Sequence, residues 1–167
     1  MHHIKTCTAN DSEKIEQVLV ESWLIKNTQD AHETFVDEIH KWDHYFLAID
    51  ESNTPLWIVS WKTEWRPKHW LYELFHIWVI PKAKWTWVSK DLFDALVDYA
   101  KDVYKNTWHH LRKFYLKSWE KNEWAHNFYK KMGMTQKDSL TSHFSEWRRE
   151  LIFHLFFDEE WNVIEWK

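Results

Sequence analysis

An acid and an imidazole stand three residues apart in the apolar run LYELFHIWVI, Glu73 and His76. A carboxylate in a strand that is apolar on both faces needs a partner or a task. Either group has the chemistry to accept a proton from a reacting ligand. Strict alternation along a strand sends the two to opposite faces. The competing readings are a carboxylate held in a salt bridge and a histidine satisfied within the core. Further on, SWEKNEWAHNFYKKMGM carries Asn122 and Tyr129. Asn122 reads as a helix N-cap, and Tyr129 as either a core-facing aromatic or a phenol able to give up a proton. Between these stretches, VIPKAKWTWVSKDLF passes from a strand through a turn into a helix. The first N–H groups of a helix lack intrahelical partners and its dipole favours negative charge, so such a junction can hold a phosphate. A plain connection is the alternative.

The elements that position these residues follow from periodicity and punctuation. HIKTCT reads as a first strand. ANDSEKIEQVLVESW reads as a helix capped by Asn10 or Asp11, with Ile15, Val18, Leu19 and Ser22 on one stripe. AHETFVDEIHKW is a second helix, and YFLAIDESNTPLWIVSWKTE an antiparallel hairpin. LYELFHIWVI is a strand closed by Pro81. Val88, Leu92, Ala95, Leu96, Tyr99 and Val103 recur at helical spacing. KFYLKS is a strand, and NEWAHNFYKKMGM a helix with Ala125, Phe128, Tyr129 and Met132 inward and Gly133 as its left-handed terminator. RRELIFHLFFD is the last strand. The order β-α-α-β-β-β-α-β-α-β-β predicts an α/β chain with a mixed sheet and helices on its faces.

The 167 residues suit one domain with a single core. A formal net charge of −4 gives no basic face for nucleic acid, and no apolar run approaches the roughly 20 residues that span a bilayer. The opening MHHIKTCTAND has none of the apolar character of a secretory leader. One cysteine, Cys7, excludes an internal disulfide and fits a reducing compartment, so the cytoplasm is the expected location. The 12 histidines show no metal-ligand spacing, and no metal site is expected. The chain has 15 tryptophans and one glycine, where about a dozen glycines are ordinary. Trp57, Trp65, Trp70, Trp85, Trp87 and Trp161 fall in or beside turn contexts, so tryptophan is expected at positions that glycine would usually hold.

Two stretches carry a family resemblance. YELFHIWVIPKAKWTW resembles the central segment of the GNAT superfamily of N-acetyltransferases: an acidic strand residue, alternating apolars, proline, then Gln/Arg-x-x-Gly-x-Gly/Ala. SWEKNEWAHNFYKKMGM resembles the later family segment Asn-x-x-Ala-x-x-Phe-Tyr-x-Lys-x-Gly-Phe, in wording close to bacterial members that acetylate polyamines. The resemblance implies a single GNAT-like domain over residues 1–167, with a mixed, mostly antiparallel central sheet flanked by about four helices. It implies transfer of an acetyl group from acetyl-CoA to a primary amine, by direct attack in a ternary complex. Glu73 would be the base, directly or through water, with His76 as the alternative. Tyr129 would protonate the departing thiolate. Ile77, Val79, Lys82, Lys84, Trp85, Thr86, Trp87, Val88 and Asn122 would contact acetyl-CoA. The acceptor would be a polyamine-like or peptide amine, with neither nucleic acid nor membrane as partner, and a homodimer is the expected assembly.

This chain departs from the pattern at Lys82, which keeps the usual positive charge, at Met134 for Phe, and at Trp85 and Trp87, which replace the loop glycines. Indoles there would fill space meant for a pyrophosphate and weaken coenzyme A binding. The alternative function is therefore a catalytically inactive GNAT-like binding module or scaffold.

Overall fold

The computed structural model describes residues 2–21, 25–41, 44–63, 71–79, 88–143 and 145–165, with the backbone alone at Thr63, His76 and Val79. Its strands are β1 (His2–Thr6), β2 (His44–Asp50), β3 (Pro55–Thr63), β4 (Leu71–Val79), β5 (Lys113–Trp119), β6 (Thr135–Thr141), β7 (Arg149–Phe157) and β8 (Val163–Ile164). Its helices are α1 (Ser12–Glu21), α2 (Thr28–His40), α3 (Val88–Asn106) and α4 (Glu123–Lys131). The strands bond in the order β1-β2-β3-β4-β5-β7-β6, with β8 on β7. The β4–β5 pair is parallel, and the pairs β1–β2, β2–β3, β5–β7, β6–β7 and β7–β8 are antiparallel. This is the mixed sheet that the element order predicts, mostly antiparallel and with four helices as the family resemblance implies. Among the described residues no helix is long and apolar enough to cross a membrane.

The chain forms two compact units, Met1–Lys62 with Phe75–Asp98, and Thr63–Leu74 with Tyr99–Lys167. In the first, the apolar stripe of α1 (Ile15, Val18, Leu19) and Ala31 and Phe35 of α2 meet Tyr45, Leu47 and Ile49 of β2 and Ile58 of β3. Phe35 and Tyr45 make an edge contact at 5.1 Å. The chain enters α1 through a 3-10 turn, Ala9–Asp11, whose N-cap is Thr8. Asp11 is the group that reaches back: its carboxylate accepts from the Thr8 N–H at 3.0 Å and from Lys5 Nζ at 2.6 Å. This corrects the expected cap at Asn10 or Asp11. The second helix likewise starts earlier than its apolar pattern, because Asn27 caps it by accepting from the Asp30 N–H at 2.9 Å. Trp57 stands just after the turn of residues 50–54, near the start of β3, buried opposite Ala48 next to a register irregularity.

In the second unit, register sorts the side chains between two faces. Tyr72 pairs with Phe114, and Leu74 with Leu116, whose β7 partner is Phe153. The last turns of α3 and the whole of α4 lie on this apolar face: Tyr72 meets Tyr104 at 6.4 Å, and Phe153 meets His126 and Tyr129 at 5.2 Å each. Tyr104 also donates its hydroxyl to the Leu71 carbonyl, fixing α3 to the start of β4. The opposite face carries Glu73, Lys113, Tyr115, Lys117 and His154. Helix α3 buries Val88, Leu92, Phe93, Leu96, Val97, Ala100 and Tyr104. Ala95, Tyr99 and Val103, expected inward, are half-buried at the border of that stripe. On α4, Ala125 and Tyr129 face in as expected, His126 joins them, and Phe128 and Met132 are half-buried. Two elements beyond the expected order appear, the entry turn before α1 and the two-residue β8.

Candidate active site

Glu73 is held by two neighbours on β5. It lies opposite Tyr115 in the parallel ladder, and Tyr115 donates its hydroxyl to Glu73 Oε2 at 3.1 Å. Lys117, two residues further along the same face, brings Nζ to 2.9 Å from Oε1. The carboxylate is 2% exposed, and a charge so far from water persists only when paired and hydrogen-bonded. The salt bridge foreseen as the competing reading therefore exists, with Lys117 as its cation. Neither Tyr115 nor Lys117 was singled out from sequence. The signal was present in KFYLKSW, where alternation puts Lys113, Tyr115 and Lys117 on one face, but the register that aligns them with Glu73 is a tertiary fact.

Tyr129 lies on the other side of β5. It is buried among Phe128 at 5.7 Å and Phe153 at 5.2 Å. Burial pushes its phenol above the ordinary value, and a hydrogen bond with Ser118 pulls it partly back. The group stays protonated across the physiological range. Ser118 follows Lys117 directly, so the two sheet faces that carry Glu73 and Tyr129 meet at adjacent residues of one strand.

The ladder between β4 and β5 runs from Leu71/Lys113 to Leu74/Leu116. Lys117, Ser118 and Trp119 continue β5 paired with Ile152, Leu151 and Glu150 of β7. Asn122 caps α4 just beyond: its Oδ1 accepts from the Ala125 N–H at 3.4 Å, and its own N–H donates to the Trp119 carbonyl at 2.9 Å.

The remaining expected contacts are placed unevenly. Val88 is the buried first residue of α3, and Ile77 is half-buried in β4. Val79 ends β4, and His76 belongs to it, by backbone only. Lys82, Lys84, Trp85, Thr86 and Trp87 lie outside the described residues, as do Trp65 and Trp70. Lys90, a second possible cation near the helix start, is paired with Asp94 one turn on. Asp91, in the first turn of α3, is 3.0 Å from His2. Cys7 is buried, and burial with the nearby Asp11 charge pushes its thiol up to about 12, which leaves almost no thiolate for nucleophilic work. Among the described residues, no three histidine, cysteine or carboxylate side chains converge on a metal position.

The fold can be compared with solved structures. An N-acetyltransferase from Staphylococcus aureus Mu50 superposes with a TM-score of 0.72 at 15% identity, over 93% of this chain and 98% of that one. The spermidine N-acetyltransferase of Vibrio cholerae, in complex with CoA and spermine, gives 0.72 at 16% identity, over 93% and 95%. The ribosomal-protein-S5-alanine acetyltransferase of Vibrio fischeri gives 0.74 at 11% identity, over 96% and 95%. At these identities the likeness is one of fold. No curated protein sequence matches the chain. The sequence model of the acetyltransferase (GNAT) family matches residues 12–134, a span that runs from the start of α1 past the end of α4. The chain belongs to the GNAT acetyltransferase family.

Proposed function

We propose that this protein transfers an acetyl group from acetyl-CoA to a primary amine by direct attack in a ternary complex, with residues 1–167 acting as one catalytic domain. The observation that carries the reading is Glu73, a buried carboxylate on β4 ion-paired with an ammonium and hydrogen-bonded to a phenol. A site that stabilises Lys117 beside this carboxylate has the chemistry to receive a substrate ammonium and take its proton. The freed nitrogen lone pair attacks the thioester carbonyl, the C–N bond forms, and the C–S bond breaks. Tyr129 then supplies the proton for the sulfur. Its raised pKa makes that transfer uphill against an ordinary thiol near about 8.5, but a thiolate buried beside it is destabilised by the same loss of water.

In this reading an extended, amide-bearing arm adds to the edge of β5 at Lys117–Trp119 as a strand does. Asn122 stands at the end of that edge. Ile77, Val79, Lys82, Lys84, Trp85, Thr86, Trp87 and Val88 complete the coenzyme A contacts by family resemblance, and His76 is the alternative base. The acceptor is a cationic amine, polyamine-like or a peptide N-terminus, which fits the net charge of −4 and the spermine-bound relative from Vibrio cholerae. We place the protein in the cytoplasm as a homodimer.

Trp85 and Trp87 crowd the phosphate loop in this reading. A panel of amines assayed for acetyl-CoA-dependent product, with the native chain beside a Trp85→Gly/Trp87→Gly form, tests it. The expected result is acetylation of a polyamine, faster and with a lower KM for acetyl-CoA in the glycine form. Binding of coenzyme A without acetylation of any amine contradicts it. The second reading, a scaffold without catalysis, draws on those same two indoles, and neither form would then show a coenzyme A-induced thermal shift.

A further inference from the structure

We propose that Lys117 is itself an acetyl acceptor, so that the protein modifies its own β5 strand. The inference rests on the acetyl-transfer reading and extends it to a residue of the chain. A general base must lie within hydrogen-bond reach of the proton it removes, and Lys117 Nζ is 2.9 Å from Glu73 Oε1. Lys117 follows Leu116, which pairs with Leu74 of β4, and is itself paired with Ile152 of β7. It also precedes Ser118, the group that partly offsets the effect of burial on the Tyr129 phenol. Its side chain is 21% exposed, buried enough to be held in place and open enough to be reached. A nucleophile already held beside the general base reacts without the entropy cost of capturing a free amine.

The step balances with acetyl-CoA as the only co-reactant. Glu73 takes one proton from the Lys117 ammonium, and Nζ attacks the thioester carbonyl. The C–N bond forms, and the C–S bond breaks with its electron pair on sulfur. Tyr129 protonates that sulfur, and the amide nitrogen releases its second proton to solvent. The product is a neutral acetyl-lysine beside Glu73. The carboxylate thereby loses a resident cation and keeps the Tyr115 hydrogen bond.

Lys113 provides an internal control. It lies on the same face of β5 with Nζ over the Tyr115 and Phe156 rings, at 5.2 and 5.7 Å. Burial lowers its pKa, so more of it is free amine at neutral pH than of an exposed lysine. Uncatalysed acetylation by a reactive thioester would therefore favour Lys113 over an ion-paired Lys117. Catalysed acetylation reverses that order.

The experiment incubates the native chain and the Trp85→Gly/Trp87→Gly form with millimolar acetyl-CoA, then maps acetyl groups by peptide mass spectrometry over time. The expected result is a label at Lys117 that outruns Lys113, accumulates faster in the glycine form, and falls about a hundredfold in Glu73→Gln, as removal of a general base does. Lys117→Arg keeps the cation and removes the label without creating another. Should Glu73→Gln fail to fold, Tyr129→Phe serves instead, because it removes only the phenol oxygen and slows labelling at Lys117 alone. A Lys117 left unmodified, or labelled no faster than Lys113, overturns the proposal. Release of coenzyme A with a free amine under those conditions would leave the transferase reading standing while this one fell, whereas loss of both activities and of coenzyme A binding would remove both.

Discussion

Trp108 and Gly133 occupy the same position in two helices. After α3, the His109 N–H reaches the Tyr104 carbonyl and the Trp108 N–H the Lys105 carbonyl; after α4, Met134 reaches Tyr129 and Gly133 reaches Lys130 in the same pattern. Both are left-handed terminators, with φ of 57° at Trp108 and 82° at Gly133. An L-residue there carries a strain of about 1–2 kcal/mol that glycine avoids. Trp108 is 96% exposed and recovers little of it by packing. Trp108→Gly is expected to stabilise the protein by about 1 kcal/mol, raising Tm by roughly 2–4 °C. Gly133→Ala is expected to destabilise it by a similar amount through strain alone, since a Cβ there meets only Leu155 Cδ2 at 3.9 Å. The same contrast holds in two hairpins. Asp50 and Asp158 each accept two backbone N–H bonds into a turn whose left-handed residue is Asn53 in one and Trp161 in the other. Trp161 gains from His110 at 4.9 Å and Lys105 over its ring, so Trp161→Gly should help less than Trp108→Gly in thermal melts. Trp161 was singled out in sequence because it precedes Asn162 between two apolar runs, and its backbone is left-handed. Trp108 was not, because nothing local marks where a long helix stops.

Elements were most legible where one periodicity was unbroken, as in α3 and the β2–β3 hairpin, and least where a polar side chain decided the boundary. Thr8 with Asp11 and Asn27 each move a helix start by closing N–H groups that hydrophobic spacing ignores. Of the proposed site, Glu73, Tyr129 and Asn122 were named from the motifs of the family resemblance, while Tyr115, Lys117 and Ser118 enter only through register. Asn122 separates cap from ligand contact. Asn122→Ala is expected to cost about 0.5 kcal/mol, at the low end for a cap bonded at 3.4 Å. Asn122→Asp keeps the cap acceptor, so its Tm should hold while its KM for acetyl-CoA rises. A fall in Tm with unchanged KM would make Asn122 a cap only. Strand β7 contributes a pH response. Burial, with the Lys113 charge adding to it, holds the buried His154 below its ordinary value, against the pull of Asp138 at 3.3 Å. Burial does the same to His44, stacked on Trp61 at 4.2 Å. Both favour the folded state as neutral rings, so their contribution is full above about pH 6.5 and is lost as pH falls through the lowered folded values. Denaturant titrations should show stability dropping below that pH, with a shallower drop in His154→Leu.

At the scale of the whole molecule, family membership gives the class of reaction, and the proposed mechanism assigns the proton transfers to this chain's own residues. The charges that matter lie on one sheet face and the phenol on the other, with β5 alone between them. This arrangement explains why the strand, rather than either helix, holds the groups that sequence motifs did not mark. It also makes the account vulnerable at one carboxylate. The most direct test is coenzyme A release with spermidine as acceptor, followed across pH in the native chain, Glu73→Gln and Tyr129→Phe, with folding of each confirmed by thermal melt. The account predicts that Glu73→Gln lowers kcat by about 10²–10⁴-fold, and that Tyr129→Phe lowers kcat with little change in KM for the amine. A folded Glu73→Gln protein that turns over at the native rate would contradict it.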